Sequence, residues 1–480
     1  MKSRKAVCAS TLALVVPFLS AFVACSDDGT LPVNAKNDGS VPTAPTSTEP
    51  LPDGAMPVTP KTIETLSGEI KAPMTLSPTK EYLLRGLVTV KAGTTLTIEK
   101  GTVIKGESQS KAILLVEPGA KIMAEGTEDE PIVFTSQAAP ADRRPGDWGG
   151  IVVLGNAPVN NPGGKGNVEG ILKTATGTQY GGSDPDDSSG VLRFVRIEYA
   201  GVILSQDNEV NGLTFAGVGR GTKVDHIQVR QALDDCFEFF GGTVDAKYLA
   251  CQGNEDDGFD WDNGYSGRLQ FLVLQQSPQH VGEDNGFEAD NDAQGSANTP
   301  LSNPTIMNAS LFGKNADVDN IQYGMLLRRN TRVTLKNILV SGFEAAIDIR
   351  DPSTAQAVGQ NTLTLTNSLF WNSKNAGVLE NLAYPETGTA APNKDNDGAF
   401  NEIDWIKTPA NKNLWNVDPE TNGAFDTEKP VFGPKKTLVE NAATPPNDGF
   451  FDTTAAYVGA FKDANDNWAT RGAWAVWSAK

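Results

Sequence analysis

Residues 236–289 hold three short segments that repeat one another: Cys236-Phe237-Glu238-Phe239, Gly258-Phe259-Asp260-Trp261 and Gly286-Phe287-Glu288-Ala289. Each places an aromatic residue after a small one and a carboxylate after the aromatic. The pattern continues upstream at Gly212-Leu213-Thr214-Phe215 and downstream at Gly324-Met325-Leu326-Leu327 and Ala346-Ile347-Asp348-Ile349. The anchors Leu213, Phe237, Phe259, Phe287, Met325 and Ile347 are spaced 24, 22, 28, 38 and 22 residues apart. A second strand-like segment follows each, marked by His226, Tyr248, Phe271, Asn308, Asn337 and Asn367, at offsets of 13, 11, 12, 21, 12 and 20. Two registers that travel together, with one loop insertion at each long offset, define a repeat array; a sandwich would show none. Nearer the N-terminus, residues 90–99 and 116–125 align at an offset of 26, each reading as strand, Gly turn, strand with period-2 alternation.

Repeats of about 22 residues carrying two or three short strands suit the coils of a parallel β-helix, stacked about 4.8 Å apart. A propeller blade needs about 40–45 residues and four antiparallel strands, which these spacings do not supply. The expected fold is therefore all-β, a single-coil parallel β-helix over residues 61–480 with a C-terminal cap from about residue 380. The anchors should face inward. Asn308, Asn337 and Asn367 share a column and predict an asparagine ladder, bonded rung to rung at a bend.

Composition agrees. Gly and Pro supply 48 and 29 of 480 residues, which favours short strands and turns over long helices. The formal charge of −19 excludes nucleic acid as a partner through a basic face. With only two histidines, His226 and His280, His-rich zinc sites are ruled out and Ser-His-Asp chemistry has little to draw on. No phosphate-binding loop, dinucleotide fingerprint, nucleophile elbow or Cys-x-x-Cys is present.

The chain opens with basic Lys2, Arg4 and Lys5, then an apolar run over residues 11–23 ending in Phe22-Val23-Ala24-Cys25. The run is too short to span a bilayer as a mature helix. It resembles a bacterial lipoprotein signal, which implies that residues 1–24 are removed and that Cys25 is acylated and inserted in the lipid bilayer. Ser26 after the cysteine implies, by the same resemblance, the outer membrane or cell surface. Residues 25–60, with seven prolines between 26 and 60, read as a disordered tether. Its mean reach is roughly 30–35 Å.

The segments 128–136, 144–152, 235–242 and 285–292, with Asp466-Asn467-Trp468 and Trp474 near the end, resemble bacterial surface proteins built of right-handed parallel β-helix repeats, a pectate-lyase-like solenoid family. The resemblance implies the right-handed coil and an exported location; the family has no settled activity to carry over.

Residues 233–292 contain fourteen carboxylates against Lys247 and Arg268. Aligned on the anchors they fall into columns: Asp234, Asp256 and Asp284 three before, Glu238, Asp260 and Glu288 one after, Asp262 and Asp290 three after. Odd offsets in a strand point opposite to the anchor, hence outward. Like charges about 5 Å apart repel by roughly 0.8 kcal/mol in water and 3 kcal/mol at an effective dielectric of 20. Solvation, protonation or a cation must offset this. Hard oxygen ligands favour Ca²⁺, so these eight residues are the candidate ligands of a structural Ca²⁺, against the equally open reading of a solvated acidic face that binds no metal specifically.

The functional expectation is a lipid-anchored binding or structural module that meets polysaccharide or surface proteins. The alternative is a polysaccharide lyase or glycoside hydrolase on the same scaffold, since stacked carboxylates offer suitable separations. However, the Gly-His-Gly and Arg-Ile-Lys patterns of pectin-cleaving β-helices are missing. Cys236 and Cys251, on the two strands of one rung, are expected to be buried free thiols. His226 should be structural, Trp148 and Trp261 core, and Trp468, Trp474 and Trp477 a cap on the last rung.

Overall fold

The computed structural model describes residues 61–169, 171, 177–205, 208–278, 285–316, 322–373, 397–398, 400–415 and 417–478. The readings placed on the signal, Cys25, the tether, His280 and Asp284 lie outside them. The described chain from Lys61 onward builds 24 strands into one continuous, almost wholly parallel pairing network. This is a right-handed parallel β-helix, with two short helices, Pro352–Gly359 and Glu402–Lys407. Alternating Val, Ile, Leu and Phe make these segments strands, and parallel pairing hides both strand edges between successive coils.

The registers read from sequence are those of the structure. Leu213 pairs with Phe237, Phe237 with Phe259, Phe259 with Phe287, and Phe287 with Met325. The column extends backward through Ile151, Leu114 and Val88. All eight side chains are buried inside the coil. Phe237 and Phe259 stack with ring centroids 5.3 Å apart, and Phe259 meets Phe287 edge-on at 5.8 Å. The offset of 26 holds as well: Val90 pairs with Val116 and Leu96 with Ile122.

The second strand of each rung is longer and bent. In Gly190–Glu198, Lys223–Arg230, Asp245–Gln252, Arg268–Gln275, Thr305–Phe312 and Val333–Ser341 the buried interior positions follow a spacing of three and then two, as at Val224, Ile227 and Val229. The skipped residue absorbs the corner in left-handed backbone: Phe194, His226, Tyr248, Phe271, Asn308 and Asn337 have φ between 48° and 63°. Asn tolerates this conformation, whereas aromatic residues there are strained by roughly 1–2 kcal/mol each. Their rings offset the strain by stacking outside the corner, Phe194 on His226 at 4.5 Å, His226 on Tyr248 at 4.3 Å and Tyr248 on Phe271 at 4.8 Å. His226 is structural, as expected.

Three expectations need correction. Asn308, Asn337 and Asn367 do share the corner column, but their amides mainly reach the C-terminal segment. Asn308 Nδ2 donates to Tyr457 O (2.7 Å), Asn337 Nδ2 to Ala443 O (2.9 Å) and Asn367 Nδ2 to Asn441 O (2.6 Å). This segment, residues 417–478, runs as an irregular strap over the outer side of the long strands. There it covers apolar residues that face away from the coil, including Phe271, Val273, Phe312 and Leu339. Trp468 and Trp474 consequently lie on the flank, 5.2 Å from the Tyr248 ring and 5.3 Å from the His226 ring, and not over the last rung. Trp477 packs with them in the same cluster. After the final strands, Leu363–Thr366 and Leu369–Trp371, it is the helix Glu402–Lys407 that buries Ile406 against the main core.

The third correction is the cysteine pair. Cys236 and Cys251 form a disulfide with Cα atoms 5.8 Å apart. They do lie on the two strands of one rung. Cys236 directly precedes the short strand Phe237–Phe240 and Cys251 is next to last in the long strand Asp245–Gln252, and the two converge where the coil closes. Trp148 and Trp261 are fully buried, their indole N–H groups donating to Glu198 O (2.8 Å) and Thr331 Oγ1 (3.1 Å).

Candidate metal centre

The short strands set the geometry of the acidic flank. Because the anchors face inward, the next residues face outward and stack in register: Thr214, Glu238, Asp260, Glu288 and Leu326. A second file lies in the turn that precedes each strand, two residues before the anchor: Asn211, Asp235, Asp257 and Asn285. Here each side chain accepts a hydrogen bond from the backbone N–H of the next rung. Asn211 Oδ1 accepts from Asp235 N (3.2 Å), Asp235 Oδ1 from Asp257 N (2.8 Å), Asp257 Oδ1 from Asn285 N (2.9 Å) and Asn285 Oδ1 from Tyr323 N (3.3 Å). This is a rung-to-rung ladder. In its two middle rungs Asp replaces Asn, so two carboxylates sit where amides would satisfy the ladder equally well.

The amide ends of the ladder are also informative. Asn211 Nδ2 donates to Glu238, and Asn285 Nδ2 to Glu288 (3.3 Å). Asp235 and Asp257 have no N–H to offer their neighbours. Three overlapping groups of carboxylates result, with ligand oxygens within 4.8 Å of one another: Asp234, Asp235 and Asp256; Asp235, Glu238 and Asp260; Asp257, Asp260 and Glu288. Five of the eight predicted ligands are thus brought together: Asp234, Glu238, Asp256, Asp260 and Glu288. Asp290 instead bonds Arg328 and Arg329 (2.9 and 2.6 Å), and Arg328 also reaches Glu288. Asp262 lies outside the three groups and accepts from the Asn263 N–H (2.5 Å).

Asp235 and Asp257 were missed as ligands because strand parity places an offset of two on the inward side. They stand in a turn, where that parity does not apply. The recoverable signal was Asn or Asp two positions before four successive anchors.

Part of the flank is withdrawn from solvent, while Asp256 stays exposed and Asp260, Asp262 and Glu288 are half-buried. The groups line a cavity of about 580 Å³ that Glu169 and Glu209 also border. Asp234 and Glu238 are each 6% exposed, Asp235 5% and Asp257 3%. Asp234 Oδ2 and Asp260 Oδ1 are buried without a hydrogen-bond partner. Burial, reinforced by neighbouring carboxylates, raises the pKa values: Asp234 and Asp262 are each pushed up to about 7, and Asp235, Glu238, Asp257 and Asp260 stand well above the carboxylate range. Burial also raises Glu288, with Arg328 opposing it.

Such a cavity favours protons or hard cations. It offers only oxygen ligands, and flexible six- to eight-fold oxygen coordination at about 2.3–2.6 Å is the preference of Ca²⁺. Zinc and copper prefer nitrogen and sulfur donors, which none of these residues supplies.

A stacked parallel coil with one carboxylate-lined flank is a solenoid of the pectate-lyase type. The chain belongs to the pectate-lyase-like β-helix domain family, whose model matches residues 68–410. Neither the curated proteins nor the solved structures contain a match.

Proposed function

We propose that this protein is an exported, lipid-anchored surface module whose β-helix is stabilised by Ca²⁺ in the acidic cavity and whose faces meet glycan or other surface proteins. The observation that carries the cation reading is the pair of buried, unpartnered oxygens, Asp234 Oδ2 and Asp260 Oδ1, each within a group of converging carboxylates. An unsatisfied buried carboxylate costs several kcal/mol unless it is neutralised, and a divalent cation neutralises two at once. Anchoring through an acylated Cys25 and a surface location rest on the N-terminal signal alone.

Thermal unfolding with millimolar Ca²⁺ and with chelator tests the cation reading. At a hundred-fold excess over Kd, binding to the native state adds about 2.7 kcal/mol. A rise in midpoint of several degrees is expected, and identical midpoints would refute it. Radiolabelled palmitate incorporation that disappears in Cys25→Ala tests the anchor. Cleavage of a glycan is the weaker reading, because Arg328 and Arg329, the cations that border the cavity, are already engaged by Glu288 and Asp290. Product release from acidic polysaccharides would reverse that order.

A further inference from the structure

The three carboxylate groups are not equivalent. The two outer ones, Asp234 with Asp235 and Asp256, and Asp257 with Asp260 and Glu288, share no residue. The first draws on the rungs anchored by Phe237 and Phe259, the second on those anchored by Phe259 and Phe287. They therefore occupy successive gaps along the coil, about 4.8 Å apart by the strand repeat. The central group takes Asp235 from the first and Asp260 from the second and adds Glu238, which stands on the Phe237 rung. Each outer group also contains its own buried oxygen without a hydrogen-bond partner, Asp234 Oδ2 in one and Asp260 Oδ1 in the other. Asp234 is only 6% exposed, so water reaches it poorly.

Building on the cation reading above, we infer that the cavity takes two divalent cations, one in each inter-rung gap, with Asp235 a ligand of one, Asp260 of the other and Glu238 within reach of both residues. One dication would balance two of the six carboxylates in the outer groups and would leave the far gap with its unpartnered oxygen. Two dications bring four charges and meet both oxygens. Arg328 already bonds Glu288, so the gap beside Glu288 carries less uncompensated charge and is the weaker of the two. The rung period of 22 residues explains why the sites come as a pair: Asp234, Asp235 and Glu238 recur as Asp256, Asp257 and Asp260.

Equilibrium dialysis against Ca²⁺ on the intact chain, with calcium counted by atomic emission, tests this. Two ions per chain are expected for the wild type. Asp234→Asn and Asp260→Asn should each retain one, and the double variant none. Asn matches Asp in shape and removes repulsion, so circular dichroism should be unchanged; the wild-type count does not depend on any variant. One ion in the wild type overturns the pair and leaves the cation reading standing. No ion overturns both. Loss of both ions in Asp234→Asn, or two retained in either single variant, also overturns the assignment.

Discussion

Glu402 shows how far one side chain can be moved from its ordinary behaviour. It is 3% exposed, its Oε1 accepts from Ile349 N (3.2 Å), and burial beside Asp348 and Asp397 pushes it up to about 8. Its folded value lies above its unfolded one, so between about pH 4.5 and 8 the native state holds the extra proton. Glu402 therefore favours folding at low pH, and that contribution falls as pH rises toward 8, by up to about 1.4 kcal/mol per unit. Glu402→Gln keeps an acceptor for Ile349 and removes the titration. Urea unfolding at pH 5.5 and 8.5 should show a smaller loss of stability with pH in the variant; an unchanged difference between the two pH values would refute the assignment. Nothing in the sequence marked Glu402, since its burial depends on a helix docking at the end of the coil. Glu238 and Asp260 were legible because a strand alternates faces. Asp235 and Asp257 were not, because a turn suspends that alternation.

At the level of strands and turns, the disulfide joins the opening of the short strand Phe237–Phe240 to the long strand Asp245–Gln252 across 15 residues. Closing a loop of that length restricts the unfolded chain by roughly 3 kcal/mol. Replacing both cysteines with Ala should lower unfolding stability by about that amount, plus a smaller loss of core contact, as read by denaturant midpoint. An unaltered midpoint would mean that the link adds nothing beyond packing. Its position between Asp235 and Phe237 also ties the anchor column to the ladder. Strand pairing was legible from the anchors, because parallel in-register stacking demands like residues at each period. The convergence of the two cysteines was not, because it depends on where the coil closes.

Across the whole molecule, the strap over residues 417–478 matters as much as the coil. The outward side of the long strands mixes apolar residues with buried Gln228, Gln252 and Gln275, and the strap covers the first while accepting hydrogen bonds from the second at Val476 O, Thr427 O and Ala424 O. Asn337 clips it by two hydrogen bonds, donating to Ala443 O and accepting from Ala443 N (2.8 Å). Asn337→Ala removes both and also places at the corner a residue that tolerates φ of 59° less well than Asn; about 2–3 kcal/mol of destabilisation is expected. Ending the chain at residue 419 should expose Phe271, Phe312 and Leu339 and drive association, visible by light scattering; a monodisperse truncated chain would show that the strap is dispensable.

Periodicity in the chain was enough to establish the stacked coil, the inward anchors and the outward carboxylate files, since each follows from local alternation repeated at a constant interval. Depth was decided only by the folded molecule. Segments carrying Glu169 and Glu209 border carboxylates that pattern alone left open to water, and the strap folds back along the flank. Exposure depends on which distant segments meet, and no spacing within a repeat encodes that.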